Sequence, residues 1–239
     1  MKTEIPLKLK QRNLIISQDK TEEYCINKND DSWKSCKYLG SYLDTEKDIT
    51  KRKQLSMMAY QKYKLKLESN KISLNVRARL FNVYVTSIFM YNSELWTLTK
   101  KLENEIDVFQ RRLLKKMLKI KYPNIISNVR LYEKMKEIAW SKKIRTRRLK
   151  WTGHLLRLDE NTPAYKSFKE SNNTFKIYKN TNKKTWKKVI NEDLKSIGLD
   201  LSLDSEDIKG LADDREWWME MVVKKSELCS NIERGLLQW

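Results

Sequence analysis

Apolar residues recur at intervals of three and four along most of the chain after residue 48, and this spacing is typical of amphipathic helices. One helix is predicted from about Asp48 to Glu68, a second begins after Ser73, and a third runs from Thr99 to the residues before Pro123. The second helix carries a wide apolar stripe that we expect to be buried: Leu80, Phe81, Tyr84, Val85, Ile88, Phe89, Leu95 and Trp96. Three such helices with short links predict a three-helix bundle over residues 47–122.

The first part of the chain has a different pattern. Short runs typical of strands cover Asn13 to Ser17, Glu23 to Asn27 and Cys36 to Tyr42, and a cluster of turn-forming residues separates the last two. We therefore expect residues 1–46 to form a small β-rich piece, which would be marginally stable by itself.

The remainder of the chain is again predicted to be helical. Residues 123–163 form a basic helical segment with a short helix after Ser127 and a longer one from Ser141 to Leu158. Residues 164–184 are polar and predict a flexible linker, and residues 185–239 predict two C-terminal helices. The expected fold class is mainly α, with the β-rich piece first, then the bundle, then further helices.

The positive charge of the chain is concentrated in its middle. The formal net charge is +19, and residues 51–160 hold 27 Lys and Arg against nine Asp and Glu, whereas the basic and acidic residues nearly cancel on either side. Charge kept only for solubility has no reason to gather in one segment, so we expect a polyanion as partner, nucleic acid first and an anionic membrane second.

The remaining composition narrows the class of protein. The three Cys and one His are neither a disulfide framework nor a zinc set, which favours an intracellular location, with nucleus and cytoplasm both open. The most apolar stretch, Leu80 to Tyr91, is too short and too polar to span a bilayer, so no membrane span is expected. No small-molecule substrate is expected either.

Six short sequence pieces, in order, carry a resemblance to a known family. They are Asn13-Leu-Ile-Ile-Ser-Gln-Asp-Lys20-Thr21, Cys36-Lys-Tyr-Leu-Gly-Ser41, Tyr91-Asn-Ser-Glu-Leu-Trp-Thr-Leu-Thr99, Phe109-Gln-Arg-Arg-Leu-Leu114, Arg147-Arg-Leu-Lys-Trp-Thr-Gly-His-Leu-Leu-Arg157, and Thr185-Trp186 ahead of Ala212-Asp-Asp-Arg-Glu-Trp-Trp218. In this order the chain resembles the C-terminal part of non-LTR (LINE-type) retrotransposon reverse transcriptases, also called endonuclease-reverse transcriptases.

The resemblance implies a role for each region. Residues 1–46 would be the end of the palm, with Lys20 matching the lysine thought to assist the leaving pyrophosphate, and Lys37, Tyr38, Leu39 and Gly40 would belong to a hairpin like the primer grip. Residues 47–122 would correspond to the thumb, which clasps the template–primer duplex. The expected partner is RNA or an RNA–DNA hybrid, bound without sequence preference through the residues above and through Arg77, Arg79, Arg111, Arg112, Arg147, Arg148, His154 and Arg157.

Catalytic residues are not expected in this chain. Polymerases of this kind add nucleotides with two metal ions held by aspartates that precede the lysine motif, and only twelve residues, with Glu4 as the single acid, precede Asn13. Leu211-Ala-Asp-Asp214 imitates the aspartate box of these enzymes, but its neighbours follow helical spacing, so we interpret it as a coincidence. We expect no metal or cofactor in this chain, although Mg²⁺ is expected for the complete enzyme, and whether to class the chain as an enzyme stays open.

Two hypotheses therefore follow. In the first, the chain is a C-terminal fragment of an RNA-directed DNA polymerase that binds template–primer nucleic acid through its basic thumb-like region. In the second, it is a decayed helical fragment or a protein-interaction module whose charge has no nucleic-acid function. Peripheral membrane binding is weaker than either, because the apolar stripes are needed inside the bundle.

Overall fold

The computed structural model describes residues 10–15, 17, 32–170, 184–200, 203 and 205–225. The fold is mainly helical with one small two-stranded antiparallel sheet near the N-terminus, which confirms the predicted fold class. The described residues divide into two compact units, with the division between Asp48 and Ile49. Among these residues, no helix is both long enough and apolar enough to cross a lipid bilayer.

The segment from Cys36 to Tyr42, predicted as a single strand, forms a β-hairpin of two short strands. Strand β1 (Lys37–Tyr38) pairs with β2 (Ser41–Tyr42), so that Lys37 lies opposite Tyr42 and Tyr38 opposite Ser41. The two residues between the strands, Leu39 and Gly40, both have positive φ angles of 48° and 80°, as a tight two-residue hairpin turn requires. Lys20 and the predicted strand from Glu23 to Asn27 lie outside the described residues.

The prediction of a strand from Asn13 to Ser17 is wrong at Asn13, which lies in a turn. The Asn13 amide donates a hydrogen bond to the Lys10 carbonyl at 3.1 Å, and Asn13 has a φ angle of 55°. This geometry closes a turn, and asparagine is one of the few residues that adopt it readily.

The helices of the next region begin and end close to the predicted residues. They are α1 (Thr45–Lys62), α2 (Lys64–Leu67), α3 (Leu74–Phe81), a π-helical turn (Asn82–Thr86), α4 (Ser87–Phe89), a 3₁₀ turn (Ser93–Leu95) and α5 (Lys100–Met117). Thr99 starts α5 because its hydroxyl accepts a hydrogen bond from the Leu102 amide at 3.3 Å.

The first hydrophobic core lies between these helices and extends past residue 122, where the sequence analysis ended the bundle. Helix α6 (Asn128–Met135) and the beginning of α7 (Trp140–Leu156) contribute to it. The Trp140 indole is fully buried and stacks on Phe89 with ring centroids 4.2 Å apart. Trp140 therefore belongs to the centre of this core, although the bundle boundary had placed it outside.

The predicted apolar stripe is only partly buried. Phe81, Val85 and Phe89 are fully buried, whereas Tyr84 is 36% exposed. Leu95, which is 54% exposed, lies in the 3₁₀ turn after the helix has ended at Phe89. The buried side of the helix is therefore narrower than the sequence pattern suggested, because Tyr60, Leu67 and Leu113 of the neighbouring helices already fill the core.

The second hydrophobic core begins halfway along α7. It is formed by the C-terminal half of that helix together with α8 (Pro163–Glu170), α9 (Trp186–Ser196), α10 (Glu206–Asp213), α11 (Arg215–Trp217) and a π-helical turn (Trp218–Lys224). Helix α8 corrects the predicted linker, because Phe168 and Tyr165 are buried and give residues 163–170 an apolar side. Residues 171–183 of the linker lie outside the described residues.

The Asp213-Asp214 pair is helical in its surroundings, as predicted. Asp213 is the last residue of α10, and the Asp214 carboxylate accepts hydrogen bonds from the Glu216 and Trp217 amides at 3.0 and 2.9 Å. Asp214 thus serves as the N-cap of α11.

Gly153 of α7 is required by the close approach of Trp218. A Cβ at residue 153 would lie 2.6 Å from Trp218 Cδ1 and 2.8 Å from Cε2, while the Trp218 indole N–H donates to the Leu149 carbonyl at 3.0 Å. We expect Gly153→Ala to lower the free energy of unfolding by about 1–3 kcal/mol, because the buried indole must move. Urea unfolding followed by Trp fluorescence measures this change.

Gly210→Ala is the matched control for that substitution. Gly210 lies in α10, and a Cβ there meets nothing within 4 Å. The same change is therefore expected to stabilise the protein by about 0.4–1 kcal/mol, because alanine restricts the unfolded chain. Equal effects at residues 153 and 210 would contradict the contact with Trp218.

Candidate nucleic-acid interface

Arg147 and Arg148 of α7 were among the predicted nucleic-acid contacts, and for Arg148 this prediction is wrong. Its side chain is fully buried, where Nε donates to Asp193 Oδ2 at 2.8 Å and Nη1 donates to the Trp96 carbonyl at 3.2 Å. Arg145 also pairs with Asp193, at 3.2 Å. Burial raises the pKa of the Asp193 carboxyl, and the two guanidinium charges oppose that shift.

Arg147 and Arg157, the other arginine candidates of this helix, are also held by protein groups. Arg147 is half-exposed and donates from Nε and Nη2 to Glu94 Oε2 at 3.2 and 3.1 Å. Arg157 is partly buried and donates to the Ala212 carbonyl at 2.8 Å, and burial lowers the pKa of its guanidinium. These contacts fasten α7 to the segments packed around it.

His154 remains on the surface of the second core. Its ring is exposed and lies 5.2 Å from the Trp151 ring, tilted by 41°. The Trp151 side chain is partly buried and packs against the second core. The pair presents one imidazole to solvent, beside the exposed Lys150.

The hairpin candidates form an exposed tip. Tyr38 is 68% exposed and Leu39 is 73% exposed, at a turn that Leu39 enters with a positive φ angle. Such an angle is uncommon for a residue other than glycine, and residues with such angles cluster at functional sites. The Lys37 ammonium lies 5.3 Å from the centroid of the Tyr42 ring, which holds this lysine against the hairpin.

Arg77 has a structural role at one end of the bundle. Its Nη1 donates to the Leu67 carbonyl at 3.3 Å and to the Met117 carbonyl at 3.0 Å. These carbonyls belong to the last residues of α2 and α5, where the final turn of a helix leaves C=O groups unsatisfied and favours a positive charge. One guanidinium thus joins two helix C-termini.

The two sequence ranges that Arg77 joins are rich in basic residues. We call the basic residues of 62–79 and 115–121 the Arg77 end: Lys62, Lys64, Lys66, Lys71, Arg77, Arg79, Lys115, Lys116, Lys119 and Lys121. Within the same two ranges there is a single acid, Glu68, whose carboxylate accepts a hydrogen bond from the Tyr60 hydroxyl at 3.0 Å. That hydrogen bond and burial raise the pKa of Tyr60 well above its ordinary value.

The cations around Arg77 have no carboxylate partners in the part of the chain that the structure describes. None of these lysines, nor Arg79, forms an ion pair there, and all but Lys115 are exposed. By contrast, the ion pairs of α7 involve Lys143, Arg145, Arg147 and Arg148. The Arg77 end therefore holds a group of exposed cations that are available to bind an anion.

Arg111 and Arg112 lie further back on α5. Arg112 is exposed and lines a small surface cavity with Lys53 and Glu105. Arg111 is half-buried, and its charge partly offsets the burial that raises the pKa of the Asp107 carboxyl. Of the predicted arginines, Arg77 is placed at the ends of α2 and α5 by its hydrogen bonds.

The lysines of residues 62–71 and 115–121 were not predicted individually as nucleic-acid contacts. The segment count of charge had placed them in the right region, but their shared position depends on Arg77 reaching two helix ends. No carboxylate-rich or His-Cys group of three or more side chains is arranged to hold a metal ion among the described residues.

Comparison with known proteins gives no match: no family model fits the chain, and no curated protein or solved structure is significantly similar to it.

Proposed function

We propose that this chain binds template–primer nucleic acid, an RNA–DNA hybrid or RNA, without sequence preference and through the Arg77 end. The observation that carries the proposal is the set of exposed cations around Arg77 that lack carboxylate partners within the described residues. Phosphates are the ligands that such a surface attracts, since each neutralised phosphate releases condensed counterions.

The helical setting supports a duplex as the ligand. The two lysine-bearing ranges are held together by buried contacts: Arg77 links α2 to α5, and Leu67, Phe81 and Leu113 share the first core. A rigid scaffold keeps the cations at fixed positions, so less ordering is required when phosphates bind. Such contacts position a duplex but carry no information about its bases.

The family proposal rests on the six ordered sequence pieces. We propose that the chain is the C-terminal part of a non-LTR retrotransposon reverse transcriptase, in which residues 47–122 serve as the thumb and the hairpin at Leu39 and Gly40 serves as the primer grip. The exposed Tyr38 and Leu39 support this, because a grip needs side chains that can reach a bound strand. Nucleotide addition by the chain alone is not part of the proposal.

Binding to two RNA–DNA hybrids of unrelated sequence tests this function. Fluorescence anisotropy should give similar affinities for both hybrids, with a steep fall as salt is raised. A strong preference for one sequence would contradict sequence-independent binding. No binding at low salt would instead favour a helical interaction module without a nucleic-acid function.

A primer-extension assay with Mg²⁺ tests the accompanying claim about catalysis. The pure chain should leave a template–primer substrate unextended, because we expect the catalytic aspartates to be absent. Extension that persists after repeated purification would overturn that claim without bearing on the binding surface.

A further inference from the structure

Two tyrosines form an exposed stack beside the Arg77 end. The rings of Tyr63 and Tyr84 are 4.1 Å apart between centroids and inclined by 22°. Tyr63 is partly buried and packs against the first core, while Tyr84 is 36% exposed although Tyr63 covers one face of its ring. One face of the Tyr84 ring therefore rests on Tyr63, and the residue is still 36% exposed to solvent.

The backbone that carries Tyr84 is fixed. Tyr84 lies in the π-helical turn Asn82–Thr86, and π-helical turns are rare and frequently occur at functional sites. The Asn82 side chain in that turn donates to the Glu137 carboxylate and accepts from Lys143 Nζ at 3.2 Å. Val85, the next residue after Tyr84, is fully buried in the first core.

Cations adjoin the tyrosine pair. The Lys62 ammonium lies 5.7 Å from the centroid of the Tyr63 ring, and the Lys66 amide donates to the Tyr63 carbonyl at 3.0 Å. The amide of the next residue, Leu67, also donates to the Tyr63 carbonyl, and the Leu67 carbonyl accepts a hydrogen bond from Arg77 Nη1. Tyr63 therefore lies in the same segment as Lys62, Lys64 and Lys66, and Arg77 is bonded to the end of that segment at Leu67.

We propose that Tyr84 stacks against an unpaired nucleobase, an inference that rests on the proposed function. A single strand that leaves the duplex at the Arg77 end would then pass over this ring. Every base has a flat π face, so such stacking tolerates any sequence. Lys62 and Lys66 provide the charge for the phosphates on either side of that base. Lys62 and Lys66 favour a nucleic-acid strand as the ligand of this surface. An apolar protein segment would leave their charges without partners, whereas the phosphates of a strand neutralise them.

A blunt RNA–DNA hybrid and the same hybrid with a short oligothymidine overhang test the proposal. The wild-type chain should bind the overhang hybrid about fivefold or more tightly than the blunt one. Tyr84→Leu should lose most of that gain and keep its affinity for the blunt hybrid, whereas Tyr84→Phe should retain both. Tyr91→Leu is the matched control. Tyr91 is also exposed, but the guanidinium carbon of Arg52 lies over its ring, 4.4 Å from the ring centroid.

An overhang of abasic residues keeps the phosphates and removes the bases, so it tests the wild-type chain without any substitution. This ligand should give a clearly smaller gain, because it keeps the phosphates that Lys62 and Lys66 contact and removes the base that stacks. An undiminished gain with the abasic overhang or in Tyr84→Leu would overturn the stacking role, as would the absence of any gain in the wild type. Failure to bind the blunt hybrid would instead refute the proposed function itself.

Discussion

Asp193→Asn is expected to lower the free energy of unfolding by about 3–5 kcal/mol, which is the usual effect of removing one partner from a buried ion pair. The Arg148 guanidinium is fully buried, and its Nη2 and Asp193 Oδ2 are 2.6 Å apart. Without the carboxylate, a positive charge stays in the protein interior with neutral acceptors, the Trp96 carbonyl and the introduced amide oxygen, in place of an anion. Urea denaturation gives the change directly.

Asp200→Asn is the control that separates burial from charge. Asp200 pairs with Lys195 at 3.1 Å, but both side chains are largely exposed. Exposed pairs contribute little to stability, so almost no change is expected. If Asp193→Asn were no more damaging than Asp200→Asn, Arg148 would not depend on Asp193 and would again be a candidate for phosphate contact.

Replacing both members of the buried pair provides a second check. The double variant Arg148→Met, Asp193→Leu leaves no unpaired charge from this pair, and apolar replacements of buried pairs are often nearly neutral. We expect it to be more stable than Asp193→Asn alone. Arg145 would lose its partner as well, but its side chain is only partly buried and can be hydrated.

Removing four lysines from the Arg77 end is expected to weaken hybrid binding by about 10²- to 10³-fold near physiological salt, if each contacts one phosphate. Suitable positions are Lys64, Lys66, Lys116 and Lys119, each changed to glutamine. These side chains are exposed and lack ion pairs with the described residues, so the fold should be unaffected. Anisotropy titration with a blunt hybrid measures the loss.

A second variant with the same change in net charge tests whether position matters. Lys101, Lys166, Lys188 and Lys225 are also exposed lysines, and they lie outside the Arg77 end. Changing these four to glutamine should alter hybrid affinity only slightly. Equal losses in the two variants would mean that the total charge drives binding and that the Arg77 end is not a site.

Periodicity allowed the helices and much of the core to be predicted. Phe81, Val85 and Phe89 are buried as their spacing indicated, because the helical repeat alone brings such residues to one side. The same reasoning failed at Tyr84, since how wide a face becomes buried depends on what the neighbouring helices present. That information is not contained in the helix's own sequence.

The candidate site was less accessible to sequence reasoning. Arg147 and Arg148 are adjacent and chemically identical, yet one is half-exposed and the other is buried against Asp193, 45 residues later. Gly153 gave no signal of its own, because its role depends on the distant Trp218. Contacts of this kind arise from tertiary packing, whereas the concentration of charge in residues 51–160 was visible at once.

Chemical footprinting of lysines in the presence of an RNA–DNA hybrid tests the binding surface most directly. Acetylation of the folded chain, read by mass spectrometry with and without saturating hybrid, reports which ammonium groups the ligand covers. We predict protection of Lys64, Lys66, Lys116 and Lys119, and unchanged labelling of Lys101 and Lys188. Uniform protection of all lysines, or protection confined to residues outside the Arg77 end, would contradict the account.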